Sequence, residues 1–527
     1  AVSTWVTATT MQAEGASFTS RGIAAVVSTL RLIRRGGRPR RWHALLAYLV
    51  CELVSYWRFR ARLARLSLPR RAYRRGTPED LRWFLRAVEQ PVCPVTFSKD
   101  SVQRYLDEKH VSQGLKPPGP PLSWEHLYAA AHEVLCLAAP SPQEHDLLSK
   151  ITAAMCRKQK LPPPPTPSRP PTTEAPIAFG SSPLQVVHKP LPVELAFGGL
   201  RLLADAVFSA LGYRRRWLPT AEGWIRYWVA RPAEPDPAIL PAVFIHGVGM
   251  GAVPYVHFLQ RLRRARRAPL VALELPNCSR SHFQAVIPSA TSFRDAVERL
   301  LCDELGISAP GRYVLMGHSL GTDFCSMVMN DPRMANDDPP LRPARLVLLD
   351  PICFVQEIAE AHRLPFWTLR EARDKYRGQH WLPTIIAMLF LVIRDEYNQE
   401  ATKRAIVPGT DSIFRCSDVL LGRCPTLVCL SGNDCALPAW KIHDYLRAQF
   451  PQIEVRMDPG LPHGGFLMPL LPGWLVRLHA EAVLRFLDPV QLARVASHPT
   501  QPDGPEPEAL PMKRNSRSAL SLTKVQQ

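Results

Sequence analysis

The chain has 527 residues, of which 46% are hydrophobic and 21% are charged, a composition that predicts a globular protein of two or three domains. Its formal net charge of +19 is concentrated at one end, because residues 1–75 contain fifteen arginines, no lysine and only two acids, Glu14 and Glu52. The rest of the chain is close to balanced, so its charge does not predict a nucleic acid partner.

The basic segment at residues 1–75 supports two hypotheses about location. Residues 1–41 are rich in Ser, Thr and Arg and nearly free of acids, which is typical of a transit peptide for a chloroplast or mitochondrion. Residues 42–57 are apolar between flanking arginines. They would cover only ~24 Å as a helix, and Glu52 is unfavourable in a bilayer. Residues 22–75 therefore predict contact with an anionic membrane, as an amphipathic helix or a single span, in an intracellular protein. A helix packed on the body is the alternative.

A helical region, a linker and a tail are also predicted. Residues 76–160 contain four segments with apolar residues at helical spacing, the first opened by Thr77 and Pro78. Residues 161–183 are rich in proline, which has no N–H donor, and predict an extended linker. Residues 499–527 are polar and predict a disordered tail.

Between linker and tail, residues 184–498 predict an α/β domain. Short apolar runs, AVFI, LVALE, YVLM, RLVLL and TLVCL, alternate with segments of helical length. This pattern indicates a mainly parallel, doubly wound sheet that is covered on both faces. In such sheets ligands bind beyond the carboxyl ends of the strands. The polar residues that follow four of these runs, and one in a later glycine-flanked loop, are His246, Ser319, Asp350, Asp434 and His463.

The order serine, acid, histidine and the motifs HGVGMG, GHSLG, SGND and LPHGGF make residues 184–490 resemble the α/β-hydrolase fold superfamily, on its lipase and esterase side. The resemblance implies that Ser319 is the nucleophile, His463 the base and Asp434 the acid that orients it. Gly317, His318 and Gly321 would then form the sharp turn around Ser319.

The same resemblance implies an oxyanion hole made by backbone N–H groups. Leu320 would supply one donor and Val248 the second, with Gly249 as the alternative. Asp350 is the alternative acid, since it also ends a strand. Asp323 is interpreted as a capping or packing carboxylate, and His257, His282 and His443 are less well placed than His463.

Other sites are not predicted. The glycines after AVFI are spaced G-x-G-x-G, and not G-x-G-x-x-G as a dinucleotide fingerprint requires. The twelve cysteines include no C-x-x-C pair, and the spacing of Cys416, Cys424, Cys429 and Cys435 is wrong for zinc. We expect neither a metal nor an organic cofactor.

About 70 residues at 352–423 are not needed by any strand and predict a helical cap, in which the segment 381–393 is apolar nearly all round. The expected function is hydrolysis of a carboxylic ester, small or lipid-like, through an acyl-enzyme. Two alternatives remain open at this point: an acyltransferase with the same triad, and a catalytically silent, membrane-tethered scaffold of the same fold.

Overall fold

The computed structural model describes most of the helical region and of the α/β domain. The described residues are 41–66, 77–89, 95–96, 103, 107, 121–134, 140–162, 186–276, 278, 287–335, 341–354, 356–357, 370, 373, 392–395, 398–399, 402, 424–434, 436–465 and 473–487. Residues 1–40 and the tail lie outside them, as do nearly all of the linker and most of the cap. The predictions of a transit peptide, a disordered tail and an apolar cap helix therefore remain predictions.

Among the described residues, four helices with defined bounds precede the linker, and three of them share a core. They are α1 (Arg41–Leu66), α2 (Pro78–Glu89), α3 (Trp124–Val134) and α4 (Pro142–Gln159). The Thr77 hydroxyl accepts the Asp80 N–H at 3.2 Å at the start of α2, as the Thr-Pro signal predicts. Leu81 and Phe84 pack with Leu127 and Leu148 in a core of their own. The predicted N-terminal helical region is confirmed.

No helix among the described residues is long and apolar enough to cross a membrane.

The α/β domain is built on an eight-stranded sheet with the order β10-β9-β7-β6-β4-β5-β3-β2. The strands are β2 (Arg214–Thr220), β3 (Gly223–Ala230), β4 (Ala242–Ile245), β5 (Leu270–Glu274), β6 (Val314–His318), β7 (Arg345–Leu349), β9 (Thr426–Ser431) and β10 (Glu454–Asp458). Among the strand pairs that the structure describes, β2–β3 and β3–β5 are antiparallel and the others are parallel. The sequence did not predict β2, whose outer residues are exposed. Two short strands, β1 (Val95–Thr96) and β8 (Gln356–Glu357), pair with each other.

Helices cover both faces of the sheet. They are α5 (Leu191–Ala210), α6 (Val256–Ala265), α7 (Ala290–Arg299), α8 (Leu320–Met329), α9 (Ala439–Gln449) and α10 (Gly473–Leu487). Alternate residues of β4 enter different cores: Val243 packs with Phe293 and Phe324, whereas Phe244 packs with Phe258. Burial on both faces explains why the parallel strands read as continuous apolar runs, and it confirms the predicted fold class.

The strand register gathers the candidate functional residues at one edge of the sheet. Ile245 is paired with Gly317, and His318 with Leu349. His246, Ser319 and Asp350 follow these positions directly, so three neighbouring parallel strands end side by side. This is the edge at which open α/β sheets bind their ligands.

Candidate active site

Ser319 lies at the apex of a strained turn between β6 and α8. Its φ of 50° and ψ of −121° lie in a region that residues with a side chain rarely adopt. The turn is held by the Ser319 N–H, which donates to the Leu349 carbonyl at 2.9 Å, and by the Thr322 hydroxyl, which donates to the Ser319 carbonyl at 2.6 Å. Strain of this kind persists only where surrounding contacts enforce it, as they do here.

The glycines that flank Ser319 are required because backbone passes close to them. A Cβ on Gly321 would lie 2.2 Å from the Ile245 carbonyl oxygen, and one on Gly317 would lie 2.7 Å from the Cys325 sulfur. No side chain fits at those distances. The G-x-S-x-G spacing therefore follows from the tight packing of β4, β6 and α8 around the turn.

The structure brings Ser319, His463 and Asp434 together in a single hydrogen-bonded line. His463 Nε2 lies 2.9 Å from Ser319 Oγ, and His463 Nδ1 lies 2.7 Å from Asp434 Oδ2. Since a carboxylate only accepts hydrogen bonds, Nδ1 carries a proton, and in the neutral ring Nε2 is free to accept the serine proton. His257 is instead exposed on α6 and His443 contacts Asp444, while His282 lies outside the described residues.

The neighbouring carboxylate makes His463 a stronger base. Burial alone would lower the pKa of the ring, but the charge and hydrogen bond of Asp434 raise the pKa of His463 to about 9. Asp434 is itself held in place by the N–H groups of Ala436 at 2.7 Å and Leu437 at 2.9 Å. The acid therefore orients the ring and stabilises its protonated form.

Asp350, the alternative acid, lies beside the hydrogen-bonded series of Ser319, His463 and Asp434, but it makes no hydrogen bond to His463. Its carboxylate accepts the Ser431 N–H at 2.7 Å, the Ser431 hydroxyl at 2.9 Å and the Gly464 N–H at 2.8 Å. Burial would raise the pKa of Asp350, but the interaction with His318, the charge of His463 and the Gly464 N–H hold it below its ordinary value. Because Gly464 follows His463 directly, Asp350 anchors the loop that carries the base.

His318 and Tyr255 form a second network that the sequence did not reveal. The Tyr255 hydroxyl lies 2.8 Å from the Gly247 N–H, which donates to it, and 2.7 Å from His318 Nδ1. His318 Nε2 lies 3.8 Å from Asp350. Burial lowers the pKa of His318 to about 4, so its ring stays neutral. Nothing in the spacing of Tyr255 signals this contact, which depends on how the short 3-10 helix Val253–Tyr255 packs.

The glycine-rich loop after β4 packs directly on Ser319. A Cβ on Gly247 would lie 2.9 Å from Ser319 Cβ, and Gly249 has a φ of 143°, which favours glycine. The loop thus brings Val248 and Gly249, the two alternative donors, alongside the serine. Leu320 is the first residue of α8, and its N–H has no partner within its own helix. These positions agree with an oxyanion hole but do not choose between Val248 and Gly249.

Asp323 and the cluster of Asp350, Asp434 and His463 are each explained by burial or hydrogen bonding. Asp323 lies inside α8, where burial raises its pKa well above the ordinary value, so it is a packing carboxylate. Asp350, Asp434 and His463 form a cluster whose ligand atoms all lie within 4.8 Å of one another. The hydrogen bonds given above already engage the oxygens of Asp350 and both ring nitrogens of His463. The cluster is therefore better described as hydrogen-bonded side chains than as a ligand set for a metal.

Comparison with known proteins identifies the domain. Residues 242–472 match the family model of the alpha/beta hydrolase family. This region is an alpha/beta hydrolase domain. No curated protein matches the chain. The hydrolase domain contains β4 to β10, the strained serine and both acids, and the predicted membership of the superfamily is confirmed.

Several solved structures are similar to the chain. Carboxylesterase CesB from Bacillus subtilis is 16% identical with a TM-score of 0.39, and the match covers 55% of this chain and 98% of the esterase. A thermophilic esterase from Thermogutta terrifontis is 18% identical, with a TM-score of 0.37 and coverage of 53% and 99%. An esterase from Pyrobaculum calidifontis is 17% identical, with a TM-score of 0.39 and coverage of 57% and 93%. Likeness at this level does not extend to substrate or reaction.

Proposed function

We propose that the hydrolase domain is a serine esterase that cleaves a carboxylic ester, with lipase-like preference for a lipid-like acyl group. The observation that carries the proposal is the line of Ser319, His463 and Asp434, with contacts of 2.9 and 2.7 Å, on a strained turn at the carboxyl edge of the sheet. Nucleophile, base and orienting acid in this arrangement are the components of acyl transfer.

The reaction would proceed in two halves. His463 Nε2 takes the Ser319 hydroxyl proton as Oγ bonds to the ester carbonyl carbon, and the carbonyl oxygen gains the negative charge. The N–H of Leu320 and a donor from the Val248–Gly249 turn would stabilise that oxygen, at about 2.7–4 kcal/mol per donor. His463 then gives the proton to the leaving alcohol, which leaves the acyl group on Ser319. Water, deprotonated by His463, releases the acid and restores the serine.

Labelling with a fluorophosphonate tests the nucleophile. We expect the full chain to be labelled, the Ser319→Ala variant to remain unlabelled, and the Ser326→Ala variant to be labelled normally. Ser326 is a matched control because its hydroxyl is also buried on α8 but donates to the Asp323 carbonyl. A wild-type chain that resists the probe would refute the enzyme and favour the silent scaffold.

A screen of p-nitrophenyl and glycerol esters of graded chain length tests the substrate class. If the preferred acyl group is lipid-like, turnover should increase with chain length; preference for acetyl esters would contradict that part of the proposal. Product analysis with competing water and alcohol separates hydrolysis from acyl transfer, because an acyltransferase would yield mainly the new ester.

We also infer that the chain is membrane-associated, with residues 22–75 on an anionic surface. Support comes from α1, whose exposed side chains include Leu46, Leu49, Leu53 and Trp57, followed by the exposed Arg58 and Arg60. An apolar helix face with aromatic and basic residues at its end is typical of interfacial helices. Flotation of the full chain with vesicles tests this, and a Leu49→Glu/Leu53→Glu variant that floats as well as wild type would contradict it.

A further inference from the structure

Helix α5 presents an apolar face to solvent. Leu195 and Leu202 are 66% and 72% exposed, and Leu200, Leu203 and Val207 are also exposed. A Cβ on Gly199, which lies between them, would meet no atom within 4 Å. Ala204 and Phe208, on the other side of the helix, are buried against the sheet. An exposed aliphatic face of this length marks an interaction site more often than a plain surface.

Basic and aromatic residues border this face on the edge strand that follows α5. Arg215 and Trp217 lie on the side of β2 that faces α5, and both are exposed, Trp217 by 43%, whereas Arg214 and Arg216 lie on the other face of the sheet. Trp224 of β3 lies opposite Pro219 in the same hairpin and is 53% exposed. Arg215 is joined to α5 by an ion pair with Asp205 at 3.0 Å, which keeps the strand and the helix together.

Glu52, the acid that is unfavourable for a membrane span, connects α1 to α5. Glu52 accepts the Leu191 N–H at the start of α5 at 2.7 Å, and its other oxygen lies 2.8 Å from His188 Nε2. A carboxylate at a helix N-terminus is stabilised by the unpaired N–H groups there. The rings of Tyr56 and Phe59 also contact His188, at centroid distances of 5.3 and 5.2 Å. The exposed apolar faces of α1 and α5 therefore belong to neighbouring helices that are fixed to each other.

The inner side of α5 is joined to the active site. Arg201 donates to buried Glu274 at 2.5 Å, and the other Glu274 oxygen accepts the Ala252 N–H at 3.2 Å. Ala252 ends the glycine-rich loop that contains Val248 and Gly249. Ahead of α5, buried Lys189 pairs with Asp395 of the predicted cap at 2.7 Å. The exposed face thus belongs to α5, the helix that borders both the predicted cap segment and this glycine-rich loop, called here the oxyanion loop.

We propose that α5 and the β2–β3 edge, together with α1, form a surface that docks on a bilayer containing anionic lipid. The occupant is identified by complementarity: an aliphatic face would enter the acyl region, the tryptophans would lie at the interface, and the arginines would contact anionic headgroups. Docking would bring the oxyanion loop next to the membrane. The docking surface itself does not depend on the proposed function. Only one consequence of docking, that the ester is taken from the bilayer, rests on that function.

Vesicle flotation of the full chain tests the surface. The probes are vesicles of phosphatidylcholine alone and vesicles of phosphatidylcholine and phosphatidylserine in equal parts. The test variant is Leu202→Glu/Leu203→Glu on α5. The matched control is Trp440→Glu, since Trp440 is also half exposed, at 52%, but lies on α9 at the opposite edge of the sheet. We expect wild type and control to float with the anionic vesicles, and the α5 variant to bind at least about ten-fold more weakly.

Other outcomes would overturn the proposal. These are failure of wild type to float, equal flotation of the α5 variant, equal binding of wild type to both vesicle types, and loss of binding only in the α1 variant Leu49→Glu/Leu53→Glu. Self-association that disappears in the α5 variant, without vesicle binding, would also overturn it and indicate a second copy as the occupant. Thermal unfolding checks that the variants fold, and the single substitution Leu195→Glu provides a second test.

Turnover of a soluble p-nitrophenyl ester separates this proposal from the proposed function. We expect the α5 variant to keep the wild-type rate on that ester, because the substituted leucines are exposed and lie on the side of α5 opposite Ala204 and Phe208, which pack on the sheet. If wild type floats but neither protein turns over any ester, the esterase proposal fails while the docking surface stands. If wild type and the α5 variant both turn over the ester but neither floats, the docking surface fails while the esterase proposal stands.

Discussion

The two acids beside His463 should differ sharply when each is changed to asparagine. In Asp434→Asn an amide replaces the carboxylate oxygen that lies 2.7 Å from Nδ1. An amide N–H donating to Nδ1 leaves the ring proton on Nε2, where it faces Ser319 and prevents the ring from acting as a base. We expect kcat to fall by about 10⁴-fold, equivalent to about 5 kcal/mol in the activation barrier.

Asp350→Asn should affect the structure more than the chemistry. If the amide oxygen accepts the Ser431 N–H, the NH2 group that replaces the other oxygen can accept neither the Ser431 hydroxyl nor the Gly464 N–H. Loss of buried, charge-assisted hydrogen bonds lowers the free energy of unfolding by about 2–5 kcal/mol. We expect kcat to fall by only about 10- to 100-fold, because the loop after His463 shifts while the ring keeps its acid.

The assay is kcat as a function of pH on a soluble ester, with thermal unfolding measured in parallel. Since the pKa of His463 is raised to about 9, the wild-type rate should increase with pH up to that region as the ring loses its proton. Removal of the Asp434 charge should move the midpoint of the residual activity to lower pH. If Asp350→Asn loses as much activity as Asp434→Asn while it remains folded, the assignment of the acid is wrong.

Three further predictions concern the turn around Ser319. Ser319→Gly should be inactive but more stable than Ser319→Ala by about 1 kcal/mol, since only glycine relieves the strain at φ 50°; equal melting temperatures would contradict this. Gly321→Ala should lower the free energy of unfolding by more than about 3 kcal/mol, because the new methyl group would collide with the Ile245 carbonyl. Gly199→Ala, on the open surface of α5, should raise it slightly. Thermal unfolding measures both. The free energy of unfolding in urea should fall by about 3 kcal/mol through protonation of His318 alone as the pH drops from 6.5 to about 4. The folded pKa is about 4 and the ordinary value 6.5, so the unfolded state binds the proton first, and the fall should be smaller in His318→Asn.

The sequence could predict the fold and the placing of the site because both depend on short-range patterns. Apolar runs of four to six residues between helices predict buried parallel strands, and parallel strands place the residues after them at one edge. Ser319 and His463 are predicted in this way, from strand ends and flanking glycines. The edge strands β2 and β10 are not among the predicted runs and have the opposite character: the first four residues of β2, RRRW, are exposed, and no residue of β10 is buried.

Strand ends alone do not distinguish the acids, because Asp350 and Asp434 follow adjacent strands that end at the same edge; Asp434 is favoured only through the family resemblance. Their roles are set by the turns beyond β7 and β9. The turn after β9 carries Asp434 to the ring nitrogen, whereas Asp350, with a φ of 43°, is directed to Ser431 and Gly464. Contacts between distant segments, such as Tyr255 with His318, depend on packing angles that have no signature in residue spacing.

Glu52 illustrates how a residue that one hypothesis counts as unfavourable can have a different role in the folded chain. In an isolated apolar helix a carboxylate opposes insertion into a bilayer, and on that ground Glu52 weakened the case for a span. In the structure the N–H of Leu191 lowers the pKa of Glu52 first and the contact with His188 lowers it further, so the acid is stabilised as a carboxylate. The leucines of α1 remain on the exposed face while Glu52 caps α5. The acid is thus a reason for α1 to lie beside α5 and to present an apolar surface with it.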